Sequence, residues 1–342
     1  MKSNMNHRRQ TLLALAFAAA IAFHALPARA QAKPLRVGWV FAMANAPAVI
    51  AEQKRFFADE GLNVEIKSFG DGPVLQQALA AGELDVAYVG APPVYQWFSR
   101  GLDARILAKV NHGQAAIISQ ASAPIRTVAD LRGKRLASVA KGSGMDVLLR
   151  GFVLKDQARL DPEKDLDILP MPPANMNAAL DRNVADAAFL WEPFVSQALL
   201  RGNSRLVLDL NQALPQYPWY VVMAPSSTLK ERGGDVVKLL RAHHKAIAFL
   251  KDRPAESNQI IAQAFKLEAV QSPDGKAIAP EIIVQEARKR LGWSDQLEAT
   301  DLRFIQRLMD YSLALGFIAK PLKVDQVVDQ SYWLKANAGS VR

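Results

Sequence analysis

The segment Lys141-Gly142-Ser143-Gly144-Met145 has the composition of an anion-binding turn, because it follows a β-rich run and opens a helical pattern. Glycine lets the backbone approach a ligand closely, and the first N–H groups of a helix have no partner inside the helix. The Ser143 hydroxyl adds a donor. The pattern predicts an anion contact here. A plain strand-to-helix turn capped by Ser143 or Asp146 is the competing interpretation.

Two further segments join a predicted strand to a predicted helix. Gly90-Ala91-Pro92-Pro93 does so in the first half of the chain, and Trp191-Glu192-Pro193 does so in the second. Trp191 offers a flat apolar wall with one N–H donor, and Glu192 could accept from an amine or a hydroxyl group. Core packing is the alternative for Trp191, and charge pairing at a helix N-terminus is the alternative for Glu192.

The remaining candidates also follow strands. Residues 41–47 are apolar apart from Asn45, so a polar contact there must come from Asn45 or from the backbone. Trp219 lies where the chain is expected to return to its first half. We expect ligand contacts from Ala42, Asn45, Gly90, Ala91, Pro92, Gly142, Ser143, Gly144, Met145, Trp191, Glu192 and Trp219.

The sequence lacks the usual signatures of catalysis and metal binding. It has no cysteine and five histidines, and the adjacent His243 and His244 would diverge by about 100° on a helix. Val147 stands where a dinucleotide fingerprint needs its third glycine, and Lys141 stands where a nucleophile elbow needs its first. We therefore predict a binding protein without catalytic residues, metal site or cofactor.

Short β-rich runs alternate with helical patterns along most of the chain, which indicates an α/β fold with largely parallel sheets. Proline at residue 73 opens one of the helices. The strands are predicted at 35–40, 63–68, 86–89 and 106–110, then at 134–139, 167–169 and 187–191. The helices are predicted at 48–58, 145–155, 175–182, 236–250, 257–265, 281–291 and 301–315.

An internal repeat relates the two series of strands. Ala78-Leu79, Asp85, Ala87, Pro92 and Val94 recur 101 residues later as Ala179-Leu180, Asp186, Ala188, Pro193 and Val195. Leu35 falls on Leu136 at the same offset. The repeat predicts two similar α/β lobes. Ligands of open α/β sheets bind beyond the carboxyl ends of the strands, so the cleft between the lobes should hold the site.

The first thirty residues have the pattern of a secretory signal peptide. Lys2, Arg8 and Arg9 precede an apolar run over residues 11–22, which is shorter than the roughly 20 residues that span a membrane. Ala28-Arg29-Ala30 matches the small-x-small cleavage pattern, so we predict cleavage after Ala30 and export to the periplasm. The paired arginines also fit a twin-arginine signal loosely, and the sequence leaves the export route open.

The distribution of charge along the chain bears on whether the protein binds nucleic acid. The chain carries 42 basic and 33 acidic residues, a formal charge of +9, and the basic residues form no stripe. That distribution argues against nucleic acid. A mildly basic protein suits an anionic ligand.

Five segments together resemble the periplasmic binding proteins of nitrate/sulfonate/taurine-type ABC importers, especially the aliphatic-sulfonate and taurine receptors. Two departures from the pattern of these receptors lie in segments that are expected to contact the ligand. Gly90-Ala91-Pro92-Pro93 replaces a common Gly-Asp-x-Pro-Pro, and Glu192 replaces a common aspartate. The matching segments are 69–93 (FGDGPVLQQALAAGELDVAYVGAPP), 128–135, 141–143, 169–174 and 190–193.

The resemblance implies a two-lobed type II periplasmic-binding fold, each lobe a mostly parallel sheet flanked by helices, with the ligand cleft between the lobes. Lobe 1 would hold residues 33–118 and 222–342, and lobe 2 would hold residues 119–221. The implied role is that of a monomer that captures a small organic anion and delivers it to an ABC permease with its ATPase. An aliphatic sulfonate or taurine-like compound is the expected ligand.

Several alternatives stay open. The same role could serve a sulfate ester, an aryl sulfonate, nitrate, bicarbonate or a thiamin-pyrimidine precursor. A pyrimidine-synthesis enzyme of this fold is disfavoured, because such enzymes need a cysteine-rich motif and this chain has no cysteine.

Overall fold

The computed structural model describes residues 33–338 of the 342-residue chain. The predicted signal peptide therefore lies outside the described residues. Two five-stranded sheets form the framework, and helices flank them. Within the described part of the chain, no helix is both long enough and apolar enough to cross a membrane.

The first sheet has the order β2-β1-β3-β11-β4, with strands numbered in chain order. Strands β1, β2 and β3 are parallel, and β11 runs antiparallel to both of its neighbours. Strands β3 and β11 are buried along their whole length, as continuous apolar runs favour. The bounds are β1 (Leu35–Val40), β2 (Val64–Phe69), β3 (Val86–Gly90), β4 (Ala104–Lys109) and β11 (Tyr220–Pro225).

The second sheet repeats this arrangement in the order β10-β6-β9-β7-β8. Strands β7, β8 and β9 are parallel, and β6 runs antiparallel to β9 and β10. Each sheet thus has four strands in one direction and one reversed strand, which confirms the predicted mostly parallel lobes. The bounds are β6 (Ala115–Gln120), β7 (Arg135–Ser138), β8 (Asp167–Pro170), β9 (Ala187–Trp191) and β10 (Ser204–Asp209).

The register corrects one detail of the sequence repeat. Val37 pairs with Val86 in the first sheet, and Leu136 pairs with Ala187 in the second. Leu136 therefore corresponds to Val37, and the expected match with Leu35 is wrong. The two lobes differ by two residues between their first and third strands, and a single offset cannot describe both.

The helices lie on the faces of the two sheets, with α3 against β3 and α6 against β9, and a long C-terminal helical region follows β11. Their bounds are α1 (Ala46–Gln53), α2 (Phe56–Asp59), α3 (Gly72–Ala80), α4 (Ala91–Phe98), α5 (Gly144–Leu148), α6 (Pro173–Asp181), α7 (Phe194–Leu200), α8 (Leu210–Ala213), α9 (Ser226–Asp252), α10 (Pro254–Ala264), α11 (Pro280–Ala287), α12 (Ala299–Ala314) and α13 (Ser331–Asn337).

Two predicted helices are interrupted. Arg55 adopts the left-handed conformation with φ 61°, which divides the predicted helix 48–58 into α1 and α2. Helix α5 passes directly into a π-helical segment, Leu149–Gln157.

The crossing region contains strands that the sequence pattern did not reveal. The predicted helix 281–291 ends at Ala287, and β14 (Leu291–Trp293) pairs antiparallel with β5 (Asn111–Gly113), which lies between β4 and β6. The last small sheet pairs β12 (Val270–Gln271) with β13 (Ala277–Ile278).

Candidate functional site

A cavity of about 380 Å³ lies between the two sheets, at the carboxyl ends of their parallel strands. The first sheet contributes the ends of β1, β2 and β3, and the second contributes the ends of β7, β8 and β9. The start of β11 completes the wall, because this reversed strand begins at the same edge. The lining residues are Val40, Gly70, Asp71, Gly72, Gly90, Pro93, Val139, Ala140, Ser143, Gly144, Met145, Pro170, Met171, Pro172, Pro173, Trp191, Trp219 and Tyr220.

The turn before α5 supplies polar donors to this cavity. Ser143 is the N-cap of α5, and its hydroxyl accepts from the backbone N–H of Asp146 at 3.3 Å. Gly142 has φ 83°, a conformation that a glycine adopts without strain. The N–H groups of Gly144 and Met145 stand at the first positions of α5, where a helix offers no internal acceptor. The Ser143 hydroxyl and these N–H groups are the donors that this turn presents at the cavity wall.

A buried ion pair holds this turn in place. Asp146 is fully buried; one of its oxygens accepts from the Gly142 N–H at 2.8 Å, and the other accepts from Arg150 Nε at 2.6 Å. Burial raises the pKa of Asp146, although the Gly142 N–H and the charge of Arg150 oppose that rise. Arg150 also donates to Glu163 at 2.7 Å. The sequence analysis did not identify Arg150 as part of the site. Its four-residue spacing from Asp146, which allows an ion pair along a helix, is the signal that could have identified it.

Aromatic side chains form the apolar part of the wall. Trp191 ends β9, Trp219 and Tyr220 stand at the start of β11, and all three are buried. A side-chain carbon built on Gly144 would lie 3.2 Å from Trp219 and 3.3 Å from Pro92, so the two lobes meet closely beside the cavity. The indole Nε1 of Trp191 is buried without a hydrogen-bond partner. The protein itself leaves this donor without an acceptor.

Asp71 supplies the only acidic side chain of the described lining, which contains no lysine, arginine or histidine. Its carboxylate caps α3 by accepting from the Val74 N–H at 2.9 Å. An anion in this cavity would therefore rely on hydroxyl, indole and backbone donors. The one carboxylate belongs to the first lobe, whereas Ser143 and Trp191 belong to the second.

The structure separates the twelve predicted site residues into two equal groups. The first group lines the cavity: Gly90, Ser143, Gly144, Met145, Trp191 and Trp219. The second group does not line it: Ala42, Asn45, Ala91, Pro92, Gly142 and Glu192.

Most of the second group supports the wall from behind. Asn45 is buried, and its Nδ2 donates to the carbonyl oxygen of Val40 at 2.8 Å, which ties down the loop after β1. The carbonyl oxygen of Gly142 accepts from Gln96 Nε2 at 3.0 Å, a bond between the lobes. Ala91 and Pro92 begin α4 and are buried.

Glu192 is engaged inside the protein. It is fully buried; one carboxylate oxygen accepts from Arg290 Nε, and the other accepts from the Ser196 N–H at 3.1 Å. Arg290 also donates to the Ser196 hydroxyl at 2.9 Å. This differs from the expectation that Glu192 would accept from a ligand, because both of its oxygens already have partners. The alternative of pairing at a helix N-terminus agrees with the contact to Ser196, which lies in the first turn of α7, and Arg290 is a further, charged partner.

Two of the three histidines of the described chain, His243 and His244, make contacts within the framework. His243 Nε2 lies 2.9 Å from the carbonyl oxygen of Lys109, and His244 Nδ1 lies 2.7 Å from Asp295. Among residues 33–338, no group of three or more histidine, cysteine, aspartate or glutamate side chains could hold a metal ion.

Comparison with known proteins assigns the chain to a family. The sequence model of the NMT1-like family matches residues 28–266, which is more than half of the chain. The chain belongs to the NMT1-like family. The expected similarity to importer binding proteins is confirmed by the relatives described next.

Three relatives of this NMT1-like protein are instructive. A putative aliphatic sulfonates-binding protein of Escherichia coli is 28% identical over 75% of this chain and 79% of its own length. The alkanesulfonate-binding protein SsuA from Xanthomonas axonopodis pv. citri, solved with MOPS bound, is 26% identical, with a TM-score of 0.73 over 86% of this chain and 98% of its own.

The third relative supports the fold alone. The periplasmic aliphatic sulphonate binding protein SsuA from Escherichia coli has a TM-score of 0.73 at 23% identity, over 87% of this chain and 92% of its own. Together these structures confirm the predicted two-lobed α/β architecture of the NMT1-like protein.

Proposed function

We propose that this chain is the solute-binding component of an ABC importer, and that it binds a small organic anion of the sulfonate class. The cavity carries the proposal. It lies where the strand ends of two lobes face each other, and it combines a few convergent donors with apolar walls, as small-molecule sites do. The family and the names of the relatives support the same role.

The chemistry of the wall supports a ligand with an apolar body. Trp191, Trp219 and the prolines would cover such a body, while Ser143, the Trp191 indole and the backbone N–H groups would meet the anionic head. Nitrate and bicarbonate fit less well, because neither has apolar surface to bury against these walls. Asp71 adds an acceptor for an amine or hydroxyl group, which suits a taurine-like ligand.

The proposed activity is capture and release without chemical change. Asp71 is the lone acidic residue of the described lining, and no histidine, lysine or second acidic residue lines the cavity with it to form an acid–base pair. Export to the periplasm rests on the pattern of residues 1–30, and the proposed partners are a permease and its ATPase. We propose that the chain acts as a monomer.

A thermal-shift screen of the chain without residues 1–30 tests this role. The panel contains taurine, alkyl and aryl sulfonates, sulfate esters, nitrate, bicarbonate and thiamin precursors. A ligand present at 100 times its dissociation constant adds about 2.7 kcal/mol to the free energy of unfolding. We expect the melting temperature to rise with sulfonates, and mass spectrometry should recover the ligand unchanged.

A matched pair of variants makes the screen specific for the cavity. Ser143→Asp keeps a good N-cap residue but places a negative charge among the donors, so the sulfonate shift should disappear. Asn183→Asp adds the same charge to the second lobe outside the cavity and keeps the acceptor for Gln120 Nε2, so its shift should persist. A shift with a different solute alone would replace the sulfonate as ligand, and no shift with any solute would contradict a binding role.

A further inference from the structure

A second cavity of about 280 Å³ lies in the same cleft and has an apolar wall from both lobes. Phe41, Ala42 and Phe265 come from the first lobe and its C-terminal region, whereas Ala174, Pro193 and Phe194 come from α6 and the start of α7. The charged residues of its lining, Lys266 and Glu268, are exposed at the rim.

The second cavity lies close to the first. Val40 lines the first cavity, and the next residue, Phe41, lines the second. In the second lobe, Pro173 lines the first cavity and Ala174 lines the second. Because sequence neighbours on both lobes line the two cavities, only a short distance separates them.

Phe41 gives this cavity an exposed apolar surface that a ligand could cover. Its side chain is 42% exposed, the only exposed phenylalanine, tyrosine or tryptophan between residues 33 and 338. Its ring centroid lies 4.8 Å from that of Phe265 and 5.6 Å from that of Trp39, and Trp39 and Phe265 are 5.7 Å apart. The three rings pack into one apolar cluster, and Phe41 is its exposed member at the second cavity. Covering such a surface is favourable in proportion to the area removed from water.

We propose that the second cavity is a subsite for the apolar arm of the ligand, an alkyl chain or an aromatic ring, whose anionic head lies in the first cavity. This inference rests on the proposed function and narrows it. The ligand is then an amphiphilic organic anion, longer than taurine. The importer would prefer long-chain or aryl sulfonates over the smallest members of the class.

Calorimetry with ethane-, butane-, hexane- and octanesulfonate tests the subsite. Each methylene that enters an apolar site should tighten binding by about fourfold. In the unmodified protein, we expect the dissociation constant to fall steadily along the series. In Phe41→Ala the ratio between ethane- and octanesulfonate should shrink by tenfold or more.

Two further variants complete the design. Ala174→Trp fills the second cavity from an exposed helix position, so it should shrink the same ratio without disturbing the core. Ile282→Ala removes another large apolar side chain, 46% exposed on α11 and outside both cavities, and should leave the ratio unchanged.

The outcomes distinguish the subsite from the proposed function. If the sulfonates bind but affinity does not depend on chain length, or if Phe41→Ala weakens all lengths equally, the subsite is wrong and the solute-binding role stands. If no member of the series binds, the sulfonate proposal and the subsite fail together.

Discussion

The two lobes share a framework and differ in the residues that reach the ligand cleft. In each lobe an arginine at the start of the first parallel strand, β1 or β7, forms an ion pair with an aspartate just before the third, β3 or β9. We call each of these ion pairs a clasp. Arg36 donates to Asp85 through its backbone N–H at 2.8 Å and through Nη2 at 2.7 Å. Arg135 makes the same contacts with Asp186, both at 2.8 Å. The clasp fixes how the first and third strands meet.

The residues after the third strand show the difference. The first lobe ends this strand at Gly90, which contributes only backbone to the cavity, and continues with Ala91. At the corresponding positions the second lobe has Trp191, which lines the cavity, and Glu192, which is buried against Arg290. One scaffold thus carries a small-residue wall in one lobe and an aromatic donor with a buried ion pair in the other.

The difference indicates that the framework and the segments at the cavity have separate roles. The strands and the clasps set the geometry of the cleft, and the short segments after the strands set its chemistry. We expect changes in the segment after the third strand to affect binding and stability more strongly in the second lobe than in the first.

The largest effect should come from Glu192→Ala. The change leaves Arg290 buried and without its carboxylate, a situation that costs about 3–5 kcal/mol of the free energy of unfolding. Urea unfolding measures the loss. Glu256→Ala breaks the exposed pair with Lys54, at 2.8 Å, and should cost at most about 1 kcal/mol. Equal losses in the two variants would contradict the role of the buried pair in the second lobe.

Ser143→Ala should weaken ligand binding by about 1–2 kcal/mol, because it removes a hydroxyl donor from the anion site. Calorimetry with the sulfonate found in the screen gives the change. Thr127→Ala is the control, since it also removes a capping hydroxyl from the second lobe but lies away from the cavity. An unchanged dissociation constant for Ser143→Ala would remove Ser143 from the site.

The two clasps offer a direct comparison between the lobes. Asp85→Asn should cost about 1–2 kcal/mol of the free energy of unfolding, because its side chain is 12% exposed and also pairs with Arg232. Asp186→Asn should cost less, because its side chain is 30% exposed. A larger loss for Asp186→Asn than for Asp85→Asn would contradict the prediction that burial sets the contribution of each clasp.

The smallest effect concerns His112 in the strand that joins the lobes. Burial lowers the pKa of His112 to about 4, whereas an unfolded histidine titrates near 6.5. As the pH falls from about 6.5 to about 4, the unfolded chain takes up the proton first, so the folded state loses stability. For this half-buried group we expect a loss below about 1 kcal/mol.

His112→Asn should reduce the loss of stability between pH 7 and 5, measured by urea unfolding at both values. A smaller pH dependence should remain, because burial also lowers the pKa of His243. His244→Asn is the control with the opposite sign, since the hydrogen bond to Asp295 raises the pKa of His244. An identical pH dependence in His112→Asn and the unmodified chain would contradict this assignment.

Sequence reasoning succeeded where the structure depends on neighbours in the chain. The predicted strands at 35–40 and 187–191 have the bounds that the structure shows, because a short run of mainly apolar residues specifies a buried strand. Ser143 was predicted as a possible cap of the helix after it, and it is one. In the C-terminal region the same reasoning extended one helix to residue 291, where the chain forms β14 against a strand far away in sequence.

The α/β class, the two similar lobes and the placement of candidate site residues after the strands could all be predicted from the amino-acid pattern. These features follow from periodicity and from residue types at strand ends. Which of those residues line the cavity, and which support it, depends on the packing of the folded chain. Glu192 shows the reason, because its carboxylate is buried against Arg290, 98 residues away. Local pattern cannot specify such a partner, because burial and pairing depend on how distant segments pack.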